Sequence, residues 1–294
     1  MDHLLERRPT RPVIRVAIDP RTRSACSPRL SAINPFLSSY ALLITTRPLD
    51  RKMLRVATPR PVPPSLERAT RSLAAGEPVL LFDAPDREGE TDLVFLSETV
   101  TPELVRLARK DAGGLVCTAI SEELRQRLDL PFYSELLALA KREYPDVARL
   151  AEQPRYDRRS AFGITVNHRR NFTGVPDNDR ALTIRTVGEI ARAAPRLGDA
   201  ELKRRFLDAF ISPGHVYLLY SAPGLLAERK GHTELAISLA RMAGLSESVT
   251  VCEMLGDSGG ARSPDAARLY AESHGWAFLE GRTVLEAWRE WSSA

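Results

Sequence analysis

Val79-Leu80-Leu81-Phe82-Asp83-Ala84-Pro85-Asp86-Arg87-Glu88-Gly89-Glu90-Thr91-Asp92-Leu93-Val94-Phe95-Leu96 sets an acidic loop between two short apolar runs. The runs 79–82 and 93–96 predict buried strands, being brief, hydrophobic and bounded by Pro78 and a turn-forming Asp-Ala-Pro-Asp. Five carboxylates, Asp83, Asp86, Glu88, Glu90 and Asp92, crowd the connection around Arg87. In an extended segment side chains alternate between faces, so Asp86, Glu88, Glu90 and Asp92 would share one side. Like charges there repel, and a positive group must sit among them. A hard divalent cation is one answer, since Mg²⁺ takes a few carboxylate oxygens and completes its shell with water and substrate. An EF-hand is excluded, because Gly89 as its sixth residue would make Ala84 the first ligand. The other reading is a solvated hairpin whose charges all face water.

A second cluster, Arg229-Lys230-Gly231-His232-Thr233-Glu234, directly precedes the apolar spacing Leu235, Leu239, Met242, which predicts a helix ending near Gly244. Thr233 or a neighbour would cap that helix, whose free N–H groups and positive dipole end point where Arg229 and Lys230 also lie. Those features make an anion site, in which a planar guanidinium matches phosphate oxygens in pairs. His232 at the helix mouth is free to ligate a metal; its alternative is a satisfied core histidine. Ser212-Pro213-Gly214-His215 leads into Val216-Tyr217-Leu218-Leu219-Tyr220, so His215 is expected at a turn, projecting into a cleft as a general acid or base. Glu253, inside the β-branched run Val249–Leu255, is a carboxylate where burial is expected, or else an edge residue facing water.

Further apolar runs at 115–120, 162–166, 216–220, 249–255 and 276–279 join the first two. They alternate irregularly with helical patterns at 65–75, 101–110, 121–128, 134–150, 186–194, 200–208 and 233–243. The expected fold class is α+β, a mixed sheet flanked by helices. A content of 43% hydrophobic and 27% charged residues in 294 suits a globular protein of the cytoplasm. Cys26, Cys117 and Cys252 have neither metal nor redox spacing and are expected as reduced thiols.

The motifs Asp86-Arg87-Glu88-Gly89-Glu90-Thr91-Asp92, Gly113-Gly114-Leu115-Val116-Cys117, Thr173-Gly174-Val175 leading to Asp179-Arg180, Pro213-Gly214-His215-Val216, Gly231-His232-Thr233-Glu234 and Cys252-Glu253 resemble, in order and rough spacing, those of the 3,4-dihydroxy-2-butanone 4-phosphate synthases. The resemblance covers about residues 65 to 288, and the longer segment 134–160 resembles the archaeal branch. It implies the three-layer fold of that family, a homodimer with active sites at the interface, and a lyase of riboflavin biosynthesis. Such an enzyme takes D-ribulose 5-phosphate to 3,4-dihydroxy-2-butanone 4-phosphate and formate with Mg²⁺ or Mn²⁺, a pair of ions per site. The resemblance also implies metal ligation by Glu88 and His232, and substrate contacts from Arg87, Glu88, Asp92, Glu253 and the run Arg229, Lys230, Gly231, His232 and Thr233. His215 and Glu253 match the His and Glu required for turnover; Thr173, Asp179 and Arg180 match a further substrate-side string, with Arg180 reaching the phosphate from the second subunit. Departures from the bacterial pattern fall at Gly89, Thr91 and Lys230, away from the ligand positions.

Enolising a ketose phosphate needs a base beside the carbonyl and a charge that stabilises the developing oxyanion, which explains a divalent ion among carboxylates. A rival motif, Gly256-Asp257-Ser258-Gly259-Gly260, copies the nucleophile loop of chymotrypsin-like proteases. Clear helical periods and the lack of an Ala-Ala-His-Cys segment oppose it, and a turn after the Glu253 strand is expected. Residues 1–60 differ in kind, with twelve Arg or Lys against four Asp or Glu, more than the whole net charge of +4. They are expected to be a disordered leader or a misassigned start with translation from Met53, followed by one catalytic domain over 61–294. The stretch from Leu30 to Thr46 is too polar to span a bilayer. A basic arm that binds RNA or anionic lipid, or serves as a scaffold on an inactive synthase fold, is the second function class; no aromatic platform accompanies the charge, so nucleic acid is not the expected partner. No fused GTP cyclohydrolase II domain is expected after residue 291.

Overall fold

Runs with no polar interruption become strands here because the sheet is buried on both faces. In a computed structural model, residues 61–151 and 157–293 are described. The basic leader 1–60, with Cys26, the 30–46 stretch and Met53, lies outside the described residues. Seven strands, β1 (Val79–Phe82), β2 (Thr91–Leu96), β3 (Cys117–Ile120), β4 (Phe162–His168), β5 (Phe210–Tyr220), β6 (Ser248–Glu253) and β7 (Ala277–Glu280), form one mixed sheet in the order β4-β5-β3-β6-β2-β1-β7. The helices are α1 (Glu67–Ala74), α2 (Pro102–Leu107), α3 (Glu122–Leu128), α4 (Tyr133–Leu139), α5 (Pro145–Ala148), α6 (Asp177–Ala193), α7 (Asp199–Ala209), α8 (His232–Met242), α9 (Pro264–Ser273) and α10 (Gly281–Ser293).

Strand alternation divides the core in two. Leu80, Leu93 and Phe95 enter one cluster with Val105 of α2, Ile184 and Val187 of α6, Leu202 of α7 and Ala267 of α9. Val79, Leu81 and Val94 enter the other with Leu73 of α1, Leu235, Ile237 and Leu239 of α8 and Val284 of α10. Helices therefore cover both faces, giving the expected three layers. At the centre, β2 pairs antiparallel with both β1 and β6, and this register sets Asp92 directly opposite Glu253.

Besides α9 and α10, which fall where no helical pattern was expected, three elements differ from expectation. The pattern read as one helix over 134–150 is broken into α4, a short 3-10 turn and α5, with Leu139 and Leu150 more than 70% exposed. Helical spacing without a core to dock on does not hold one continuous helix. Helix α6 begins nine residues before the expected 186, because its first turns are polar and the buried stripe of Ala181, Ile184, Val187 and Ala191 includes small residues with little hydropathic signal. The Pro213-Gly214 pair is not a turn before a strand. It lies inside β5, which pairs with β4 on both sides of it through a register shift between Val166 and Asn167.

Candidate active site

β1 delivers the chain to Asp83, whose side chain is shut away from solvent. Its two carboxylate oxygens accept the backbone N–H of Glu88 at 3.0 Å and of Glu90 at 3.1 Å. Arg87 Nη1 donates to the same group at 3.4 Å, and Gly89, at φ +70°, carries the left-handed step of the turn. The acidic loop is a tight turn rather than a flat ribbon, so the expected common face breaks. Asp86 is exposed, while Glu88, Glu90 and Asp92 line a cavity of about 340 Å³ with His232, Thr233 and Glu253.

Helix α8 meets this loop head on. Gly231 is its N-cap residue and has no side chain to offer, so the expected Thr233 cap is not formed and Thr233 lies inside the first turn. The partial positive charge of that turn stays directed at the cavity. His232, 6% exposed, places Nδ1 3.2 Å from Glu88 Oε2, and Nε2 3.2 Å from the Glu90 carbonyl and 3.6 Å from Asp92 Oδ1. Residues 144 apart in sequence thus meet.

Burial raises the Asp92 carboxyl to about 7, the charges of Glu253, Glu88 and Glu90 adding to it against His232. Burial, then Glu253 and Glu88, also push Glu90 upward. For Glu88 burial acts in the same sense, but the His232 hydrogen bond and the Arg87 charge prevail, and its carboxyl falls below the ordinary range. Burial depresses the imidazole of His232, yet Asp92, the Glu88 hydrogen bond and Asp83 outweigh it and raise it to about 9. A single imidazolium faces a surplus of carboxylates.

Ligand atoms from Asp83, Glu88 and His232 lie within 4.8 Å of one another, and Asp92 Oδ1 is buried without a hydrogen-bond partner among the described residues. Several oxygens and one imidazole fit a hard divalent cation. Asp83 is a member that the alternation argument did not include. Across the cavity, Glu253 Oε2 accepts the Leu115 N–H at 2.8 Å, and the Glu253 carbonyl accepts the Gly114 N–H at 3.0 Å. A Cβ on Gly114 would stand 2.4 Å from Glu253 Oε2, so only glycine permits this clasp. Cys117 also lines the cavity; burial, then Glu253, push its thiol well up, which favours the protonated form.

A second cavity of about 760 Å³ opens beside the first and shares Arg87, Arg159 and Arg229 with it. Arg229 Nη1 is fixed at 2.6 Å by Glu234, a fully buried carboxylate of the first turn of α8 that also accepts the Ala222 N–H at 2.8 Å. Gly231 packs directly against the guanidinium groups of Arg229 and Arg87, and Lys230 lines the same cavity. The expected site residues Arg87, Glu88, Asp92, Arg229, Lys230, Gly231, His232, Thr233 and Glu253 therefore come together.

The other four do not line either cavity. His215, on β5, sets Nδ1 3.1 Å from the Asn167 side chain, which reaches the Thr173 carbonyl at 3.3 Å. Asp179 accepts the N–H groups of Thr173 and Gly174, and Arg180 pairs with Asp177 at 3.2 Å. They form a second polar group over β4, β5 and α6. Asn167, Glu234 and Asp157 matter to these arrangements and were not singled out by sequence. Glu234 had a signal, its place in the Gly-His-Thr-Glu helix start; Asp157 had none, since it sits between arginines in a loop. The Gly256–Gly260 string is a turn after β6, closed by a Gly256 N–H to Gly260 carbonyl bond of 2.8 Å.

The three-layer α+β fold thus sets a carboxylate and imidazole cage, able to hold a divalent cation, beside an arginine pocket. The family profile described as 3,4-dihydroxy-2-butanone 4-phosphate synthase matches residues 67–287. The chain belongs to that family, which serves riboflavin biosynthesis. It is 44% identical to the 3,4-dihydroxy-2-butanone 4-phosphate synthase of Methanosarcina acetivorans over 234 residues, 78% of this chain and 93% of that one. With the synthase of Methanothermobacter thermautotrophicus it shares 41% over 230 residues, 78% of this chain and 97% of the other. Among solved structures, the Candida albicans synthase superposes with a TM-score of 0.57 at 29% identity, covering 77% of this chain and 98% of that chain. A synthase in complex with two magnesium ions superposes with a TM-score of 0.56 at 25% identity, covering 73% and 91%. Among the described residues no helix is long and apolar enough to cross a membrane.

Proposed function

We propose that residues 61–294 form one catalytic domain that converts D-ribulose 5-phosphate to L-3,4-dihydroxy-2-butanone 4-phosphate and formate. The observation that carries this reading is the contact of Glu88 with His232, inside a carboxylate cage that shares a wall with an arginine pocket. Glu88 and His232, with Asp83 and Asp92 beside them, would hold Mg²⁺ or Mn²⁺. A bound divalent ion supplies Lewis-acid stabilisation of the oxyanion formed on enolisation. Arg87, Arg229 and Lys230 bind the substrate phosphate, aided by the free N–H groups that open α8. That placement leaves the carbon skeleton between Asp92, His232 and Glu253. Asp92, whose carboxyl burial raises to about 7, is suited to exchange protons with substrate hydroxyls, and Glu253 is held by Leu115 in one orientation for the same task.

The second polar group completes the site from another copy of the chain. Exposed apolar side chains surround it: Phe172 and Val175 flank Thr173-Gly174, and Ile211 precedes His215. Leu115 and Leu255, also exposed, stand next to Glu253, so both half-sites carry the apolar rim that a homodimer would bury. His215 and Arg180 then act on substrate held by the partner. Incubation of the purified chain with ribulose 5-phosphate and Mg²⁺ is expected to release formate, and EDTA to stop it. Formate release unaffected by chelation would refute the metal's part, and none under either condition would refute the activity. The Gly114→Ala variant, which must displace the Glu253 carboxylate, is expected to cut the turnover number about a hundredfold while leaving KM within a few-fold. Steady-state formate kinetics checks this, and an unchanged turnover number would detach Glu253 from the chemistry.

A further inference from the structure

Two cations of the phosphate pocket are already engaged by a carboxylate from elsewhere in the chain. Asp157 lies in the loop before β4, and its side chain is 13% exposed. One oxygen, Oδ2, accepts both from Arg87 Nη2 at 3.2 Å and from Arg229 Nε. Besides Glu88, whose Oε1 stands 3.2 Å from Arg87 Nη1, two other carboxylates that touch those guanidinium groups differ in kind from Asp157. Glu234 is fully buried on α8 and tied to the Ala222 N–H, and Asp83 is fully buried and tied to its own loop. Both belong to the rigid frame. Asp157 instead caps the arginine pair from the cavity side, where it is joined by Arg158, Arg159 and Lys230. An incoming oxyanion of higher charge meets the same two fork-shaped donors.

We propose that Asp157 is a built-in counter-ion of the anion pocket, occupying the donors of Arg87 and Arg229 that a phosphomonoester takes, and leaving them when one binds. The inference rests on the reading of that pocket as the phosphate subsite. Asp157 keeps the guanidinium groups fixed and charge-compensated in the resting protein, and it sets the affinity of the pocket by competition. A weakly charged sugar, lacking phosphate, does not displace it. Selectivity for the dianion follows.

Inorganic phosphate is the probe, titrated by calorimetry into the full-length protein and into its Asp157→Asn and Asp157→Glu variants. Asp157→Asn, isosteric and neutral, is expected to tighten phosphate binding about fivefold or more, and to lower KM for ribulose 5-phosphate by a similar factor with the turnover number little changed. Asp157→Glu restores the charge and is expected to return the affinity to that of the parent. Phosphate binding that is unchanged or weaker in a folded Asp157→Asn protein overturns the proposal, as does tightening that the Glu variant retains. Should Asp157→Asn fail to fold, Asp157→Ser decides the matter by the same titration. Phosphate binding is measured without turnover, so a chain that released no formate would refute the proposed activity and leave this test standing.

Discussion

The Glu88→Gln variant is expected to lose formate production by roughly a thousandfold or more, the scale of removing charge stabilisation from a developing oxyanion. The substitution keeps shape and removes charge. Glu88 is placed by its backbone N–H on Asp83, a bond that the side chain does not make, so the loop keeps its turn in the variant. Its carboxylate is 22% exposed and takes a hydrogen bond from His232, which a Gln oxygen also accepts. Because the cage keeps a surplus of carboxylates facing His232 and Arg87, thermal unfolding should shift by only a few degrees, on the order of 1 kcal/mol. Lost activity with a retained melting temperature locates the defect in chemistry. A variant with full turnover would return the acidic loop to the solvated hairpin that composition alone allows.

Mixing two inactive proteins gives the second large effect. Glu88→Gln and His215→Ala homodimers are each expected to be inactive, since every site in them lacks one essential group. After subunit exchange, half of the dimers are mixed, and each mixed dimer carries one site with both groups intact, so activity returns to about a quarter of the parent. The prediction rests on the proposed homodimer, in which the two groups of one site come from different copies of the chain. His215 lies against Asn167 on β5 and lines neither cavity, while Glu88 lies with His232 under the start of α8. No recovery after demonstrated exchange would place both groups in one protomer or remove His215 from the reaction.

Buried strands were the most legible part of the chain. Seven apolar runs became seven strands, and 79–82 matches β1 residue for residue, because a sheet covered on both faces demands uninterrupted hydrophobic segments. What failed was local rather than global. The Pro-Gly pair in β5 and the polar start of α6 obey the packing of β4 and the core stripe rather than their own residue preferences. The exposed 134–150 segment had helical spacing but nothing to bury it against.

Members of the candidate site were legible where motif and chemistry coincided, as at Glu88, His232 and Arg229 before α8, which the fold brings together. Geometry across the fold was not. That Asp83 turns inward to clasp the backbone of Glu88 and Glu90 depends on a turn that the alternation rule does not describe. That Asp157 bridges Arg87 and Arg229 depends on a loop returning across about seventy residues of sequence to each partner, and no local pattern encodes it. Glu234 reads as an ordinary first-turn acid until its burial beneath Arg229 is seen.

Anomalous diffraction from crystals grown with Mn²⁺ and ribulose 5-phosphate tests the shared Glu88 and His232 pocket most directly. The expected map has a manganese peak at coordination distance from both the Glu88 carboxylate and the His232 imidazole, with the phosphate against Arg229. A fully occupied manganese peak that touches neither side chain would contradict it.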